Sequence, residues 1–356
     1  MSTSDYDQFR PPEPERRRRR GFGGGKRRRG GSTARVPADS MVPEVEFTSY
    51  YGRNVVKPPP WEWPVALYLF TGGVAGASGV LAAGAQIAGL PVLRRNTRLA
   101  ALAAVGVSGA ALVADLGRPE RALNMLRTFK VTSPMSVGSW ILTAFSAPTS
   151  LAAVAELPIP LGRLRKVVDV LQGPAGLAAG AFGPPLAGYT AVLLADTAIP
   201  TWNGARQHLP FVFVSSASLA ASGLAMITTP SDETGPARRL AVLGVVGDLV
   251  AMRVMEAHMD PVVVEPLHEG KPGKLLHLSE RLAIAGGIGA LFARRRWVAV
   301  ASGLALMAAS ACTRFGVFEA GLESAKDPRY TVVPQRRRLE ERRRRGEVDD
   351  SITTVE

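Results

Sequence analysis

The sequence predicts an all-α integral membrane protein: a bundle of eight transmembrane helices between disordered basic termini. Three observations predict it. Apolar residues dominate the middle of the chain, and the arginine clusters gather at its ends. The middle divides into runs close to the roughly 20 residues a helix needs to cross a bilayer. No run alternates apolar and polar residues as a membrane barrel strand would. Backbone polar groups in lipid must be bonded internally, so runs of this kind are helices.

The chain has 356 residues, is 46% hydrophobic and carries a net charge of +13. A soluble basic protein and a membrane protein with basic tails share such totals; the distribution separates them. Arg16 to Arg20 and Lys26 to Arg29 precede the apolar body, and Arg336 to Arg338 and Arg342 to Arg345 follow it. The division reads as an arm over 1–60, a membrane domain over 61–318 and a charged tail over 319–356. The N-terminal arginines lead into "GFGGG" rather than an apolar run, so the arm is not read as an export signal. Solvated disorder is the plain reading of both tails, with attraction to anionic lipid an added role. No aromatic interleaving accompanies the arginines, so no nucleic-acid partner is expected.

The eight runs are Pro64–Leu90, Leu99–Leu116, Ser136–Leu157, Val170–Asp196, Leu209–Thr228, Ala237–Met259, Leu278–Ala293 and Trp297–Phe318. The seventh is the shortest and opens on Glu280 and Arg281. Gly72 and Gly76 in the first, and Gly286, Gly287 and Gly289 in the seventh, favour close helix packing. The fourth contains "QGPAGLAAGAFGPPLAGYT", where Pro174, Pro184 and Pro185 remove amide donors. A kinked or broken helix is expected there, with a ligand cavity beside it.

An even number of spans puts both termini on one side. Tyr68, Asp115, Trp140, Tyr189, Asp196, Glu256, His258, Glu280, Arg281 and Arg314 then all fall toward that side. The connections on that side are long and mixed; those on the other are short and basic, beginning with "PVLRRNTR". Charges at membrane depth are costly and usually paired. Arg253 and Glu256 stand three apart, so they can meet on one helix face. Asp248 lies midway along the sixth run with no local cation, a carboxyl either hydrogen-bonded to a neighbouring helix or relaying protons. Asp115, Arg118, Glu120 and Arg121 are close enough in sequence to form a network that braces or builds a site.

Cys312 is the one cysteine, so neither an internal disulfide nor a cysteine-ligated iron–sulfur cluster is possible. None of His208, His258, His268 and His277 is central in an apolar run, so paired-histidine haem is not expected, nor any bound metal. No HExxH, P-loop, nucleophile elbow or dinucleotide glycine motif occurs. A lipophilic ligand entering from the bilayer fits better. A quinone head offers two carbonyl acceptors and takes up two protons on reduction. Tyrosine, tryptophan or arginine can donate to its oxygens, and nearby carboxylates can move the protons.

"DLGRPERALNMLRTFKVTSPMSVGSW" (Asp115 to Trp140) closely resembles the signature of the NrfD family, the membrane subunits of polysulfide reductases. "GYTAVLLADTAIPTW" (Gly188 to Trp202) resembles the family's next signature stretch, and "FTGGVAGAS" (Phe70 to Ser78) its first span. "RFGVFEAGLESAKDPRYTVVPQR" (Arg314 to Arg336) is similar to the end of actinobacterial members. The resemblance runs from about Trp61 to Gln335. It implies a quinone-reactive anchor, not catalytic alone, with a ferredoxin-like iron–sulfur subunit and a molybdopterin catalytic subunit as partners. Menaquinone is the implied quinone and formate one implied substrate of the partner. The resemblance puts Tyr68 where relatives carry a histidine near the quinone, and Tyr189 at a tyrosine implicated in them. With the residues above, the quinone candidates are Tyr68, Asp115, Arg118, Trp140 and Tyr189. The proton-transfer candidates are Asp115, Asp196, Asp248 and Glu256. Glu120, Arg121, Arg253 and Arg314 form the expected structural charge network.

A secondary transporter, or an anchor with no quinone site, are the competing readings. Broken spans and buried charges occur in transporters, but the two halves show no repeat, and the polar residues gather at one face rather than the midplane. The cell membrane is the expected location. The basic short connections place the termini outside by the positive-inside rule, whereas two polyarginine tails are hard to translocate. Cytoplasmic termini are the reading favoured here.

Overall fold

The computed structural model describes residues 54–115, 124–127, 129–160 and 162–346. Among them are eleven helices and no strand: α1 (Trp63–Ile87), α2 (Pro91–Asp115), α3 (Pro134–Val154), α4 (Leu164–Ala195), α5 (Pro200–Gly204), α6 (Leu209–Thr228), α7 (Gly235–His258), α8 (Pro261–His268), α9 (Gly270–Leu291), α10 (Arg296–Lys326) and α11 (Arg329–Arg344). Most open with proline in the first turn, where its missing amide costs nothing. Ser133 caps α3 through the amide of Ser136, and Asp260 caps α8 through that of Val262.

Six of these helices, α1, α2, α3, α4, α6 and α10, are long and apolar enough to cross a membrane, and the chain is a multi-pass membrane protein. The sixth and seventh expected spans correspond to α7 and α9. Both are long helices, but Asp248, Arg253 and Glu256 on α7, and Lys271, Lys274, Glu280 and Arg281 on α9, break their apolar stretches with charge and set them apart from the six.

Helix α1 is the centre of the packing. It lies against α2, α4 and α6; α3 packs on α4, α6 on α7 and α10, and α9 on α10. Of the stretch of α1 that matches a bilayer, 83% is buried, against 33% for α3. Small residues permit this. A Cβ on Gly76 would stand 2.5 Å from the carbonyl oxygen of Gly183, and one on Gly183 would strike that of Gly76, so α1 and α4 cross backbone to backbone. Gly223 and Gly303 repeat the arrangement between α6 and α10, each 2.5 Å from the other's carbonyl oxygen for the same added atom.

The structure differs from the sequence reading in four places. Helix α4 runs unbroken through Pro174, Pro184 and Pro185. Proline removes one helical hydrogen bond but leaves the flanking turns intact, and the packed neighbours α1 and α3 hold the helix together. The segment "PVLRRNTR", read as a connection, is the first two turns of α2; Arg98 is 3% exposed and bonded to Glu156 at 2.8 Å. The terminus-side connections are themselves partly helical, as α5 and α8. Finally, α10 continues past Phe318 to Lys326, and α11 follows, so the C-terminal segment is helical through Arg344 rather than disordered. Good helix formers such as arginine and glutamate supply that propensity.

Candidate functional site

The residues upstream of α3, the face of α3 and the last turns of α4 enclose a cleft of about 520 Å³. Its walls are Val131, Pro134, Val137, Ile141, Pro184, Pro185, Gly188 and Val192, closed by Pro210 of α6. Its polar groups are Thr132, Tyr189 and Asp196. The cleft therefore flanks the proline pair of α4, where a cavity was expected. Val192 in its wall, and Met135 and Phe211 beside it in sequence, are exposed apolar residues. Apolar surface of this kind faces lipid in a membrane protein.

Tyr189 forms the inner polar end of the cleft and reaches Tyr68 behind it. Their hydroxyls are hydrogen-bonded to each other, and the rings meet edge to face with centroids 6.4 Å apart. Tyr68 is 1% exposed and Tyr189 9%. Gly138 on α3 makes room for Tyr189, because a Cβ there would overlap its ring. The two tyrosines thus sit on different helices, α1 and α4, 121 residues apart in sequence, and are brought together by the Gly76–Gly183 crossing.

Arg314 lies next to this pair, with 0% exposure. Its Nη1 donates to the Leu69 carbonyl at 3.2 Å and to the Thr190 hydroxyl at 3.4 Å, and its Nη2 donates to the Phe213 carbonyl. The guanidinium also lies over the Phe213 ring, 4.0 Å from its centroid. One side chain of α10 is thereby fastened to α1, α4 and α6, at the residues that follow Tyr68 and Tyr189. Glycine at position 73 leaves space for it, since an added Cβ would stand 2.7 Å from Nη2.

A second cavity, of about 190 Å³, lies between α7, α8, α9 and α10. Asp248, Arg253, Glu256, His268, His277, Ser279, Glu280 and Thr313 supply its polar lining. Asp248 is 4% exposed, its Oδ1 has no hydrogen-bond partner, and Arg314 is the cation that faces it. Glu256 lies 3.4 Å from His268 Nε2, and the His268 and His277 rings are 6.1 Å apart. The Ser279 and Thr313 hydroxyls are bonded at 2.7 Å.

The other expected residues fall as follows. Asp196 lines the tyrosine cleft as the residue that ends α4. Trp140 does not line it; it is on the outer surface of α3, edge to face with Phe129 at 6.0 Å. Asp115 is half-buried at the end of α2, where Glu62 is its charged neighbour, and it too is outside the cleft lining. Arg118, Glu120 and Arg121 lie outside the described residues. Arg253 does not pair with Glu256: it reaches across to Glu280 at 3.5 Å, while Glu256 turns to His268. The reason is the neighbour. With α9 alongside, partners on another helix are nearer than the next turn of α7. The expected charge network is thus divided, since Arg253 is a surface residue of the second cavity and Arg314 a buried one.

Sequence reasoning missed two groups. His268 and His277 flank the junction of α8 and α9, which no periodicity revealed as a junction. Arg98, which is buried, binds the half-buried Glu156, Gln86 and Gln172 and ties α1 to α4 at the opposite end of the bundle, with its Nη2 2.6 Å from the Gln86 side-chain oxygen. An arginine one turn inside an apolar helix was the signal that could have found it.

No curated protein matches the chain. A family model described as polysulphide reductase, NrfD, matches residues 53–260, which is more than half the chain. With the helical membrane architecture and the terminus-side cleft on the page, the chain belongs to the NrfD family of membrane subunits of respiratory oxidoreductase complexes.

Proposed function

We propose that the tyrosine cleft is the quinone site, and that the chain exchanges electrons between an iron–sulfur subunit and the membrane quinone pool. The observation that carries this reading is the Tyr68–Tyr189 pair at the inner end of an apolar cleft flanked by exposed apolar residues. A quinone tail suits walls of valine, isoleucine and proline. A quinone carbonyl suits a phenol held in place by a second phenol. Tyr189 donates its hydroxyl proton toward that carbonyl while Tyr68 orients it from behind. Asp196, in the same lining, is a carboxylate within the cleft for proton exchange.

In this reading α7 and α9 also cross the bilayer, giving eight spans within residues 61–318, and both termini lie on the cytoplasmic side. Of their ionisable residues, Asp248, Arg253, Glu256, His277 and Glu280 line the second cavity rather than lipid. The partners are a ferredoxin-like iron–sulfur subunit and a molybdopterin catalytic subunit, and the quinone is menaquinone. Electrons enter from the partner, since Cys312 alone can hold no iron–sulfur cluster.

Replacing Tyr189 by phenylalanine tests the proposal. Quinone-linked turnover of the complex should fall about 10²-fold, the usual scale for losing a positioned proton donor. Turnover with an artificial soluble acceptor should be unchanged, because that route bypasses the cleft. Removing the hydroxyl also leaves that of Tyr68 without its partner, at about 1–3 kcal/mol, a cost that assembly can absorb. Full quinone turnover in Tyr189→Phe would exclude this residue as the donor.

A further inference from the structure

We infer that the cavity between α7, α8, α9 and α10 is a proton-uptake site, separate from the tyrosine cleft, in which Asp248 is the inner acceptor and Glu256, His268, His277 and Glu280 form the outer exchange group. The inference deepens the quinone proposal, since a quinone reduced at the cleft must take up protons.

Three features carry it. First, Asp248 is almost wholly buried and lines the cavity, yet its Oδ1 has no partner among the described residues. A carboxylate oxygen in that position is costly unless it meets water or a proton. Second, the cavity carries polar groups among its apolar walls and, at about 190 Å³, is roomy enough for several waters at about 30 Å³ each. Ser279 of α9 and Thr313 of α10 place two hydroxyls on its wall. Third, the ionisable groups are spread along the space rather than converging on a point, and among the described residues no three of them could hold a metal ion. A row suits passing a proton; a cage would suit a cation.

Every element around Asp248 contributes to its surroundings. Helix α7 adds Arg253 and Glu256, α8 His268, α9 His277 and Glu280, and α10 Arg314. Helix α6 brings no ionisable side chain, and α1 only Tyr68. The outer group is reached from the surface: the His268 side chain is 48% exposed, that of Glu280 43% and that of Glu256 26%. A proton bound by an outer imidazole or carboxylate passes through water to the Asp248 carboxylate, and the donor returns to its unprotonated form. Arg314 stands inward of Asp248 and is bonded at Leu69 and Thr190, beside both tyrosines. A neutralised Asp248 and a charged one therefore present different fields to the quinone side.

The test uses the intact complex in liposomes and two readouts. The first is infrared absorption of protonated carboxyl groups during a pH titration with no turnover. Asp248→Asn should remove one carboxyl band, and His268→Gln with His277→Gln should move the midpoint of that band. The second is turnover. Asp248→Asn should lower quinone-linked turnover about 10²-fold while the soluble-acceptor rate holds, and Asp248→Glu should restore part of it. An unchanged carboxyl spectrum in Asp248→Asn, or an unmoved midpoint in the histidine variant, would overturn the assignment. If the band behaves as expected but wild-type complex shows no quinone turnover, the quinone proposal fails and the proton site stands.

Discussion

Arg314→Met should be the most damaging single substitution in the bundle core. The buried guanidinium is the cation facing Asp248 and links α10 to α1, α4 and α6. Removing it leaves the Leu69 and Phe213 carbonyls and the Thr190 hydroxyl without this donor, at about 1–3 kcal/mol for a buried group left unsatisfied. Methionine fills a similar volume and is flexible enough to pack, so the loss reports the guanidinium's hydrogen bonds rather than a void. The measurement is the temperature at which detergent-purified protein loses its monodisperse state, with a large drop expected. The double variant Arg314→Met with Asp248→Leu should recover little of the loss, because the acceptors on α1, α4 and α6 stay without their donor. A single variant as stable as wild type would mean that Arg314 carries no such burden.

Gly183→Val should jam the bundle between α1 and α4. The added side chain must enter the space of the Gly76 carbonyl, and Val80 stands 2.9 Å from the first added atom. Overpacking costs about 1–3 kcal/mol, and a backbone obstacle cannot rotate away as a side chain can. Separation of the helices would also pull Tyr68 from Tyr189, so quinone-linked turnover should fall with stability. Gly84→Val is the control. It lies on the same helix as Gly76, with nothing within 4 Å of an added Cβ, and since valine is a somewhat better helix former than glycine it should leave stability unchanged or slightly raised. Equal yields and melting behaviour for the two variants would contradict the close crossing.

Much of this architecture is legible in the sequence. Apolar run length located the eight helices of 20 residues or more, because bilayer thickness fixes that length physically. Helix ends were less legible. Hydropathy reports where a chain leaves lipid, not where it stops being helical, so the first turns of α2 and the last two turns of α10 were assigned to connections. The proline-rich stretch of α4 located the cleft, but the helix is continuous through it rather than broken, since neighbouring helices hold it on both sides of the prolines. Tyr68 and Tyr189 were placed on one face by the span count and singled out by family resemblance; their bond was not foreseen, since nothing in either run signals a partner 121 residues away. Ion-pair choice was the least legible. Arg253 and Glu256 satisfy a spacing rule on one helix, and the rule lost to a neighbouring helix that the sequence does not position.

The far-side helix ends have a consequence for how the chain is made. Glu233 caps the start of α2 by accepting from the amides of Val92 and Leu93, about 140 residues earlier in the chain. Arg238 bonds the final carbonyls of α9 at Ala290 and Leu291, and Arg296 bonds those of α6 at Met226, Ile227 and Thr229. Each fastening joins segments that leave the ribosome well apart. During synthesis α2 waits with an open amide end until residue 233 has emerged, and α6 waits with open carbonyls until residue 296 has. The order of translation therefore sets an order of closure: the early spans enter the bilayer unlatched, and the last third of the chain locks them.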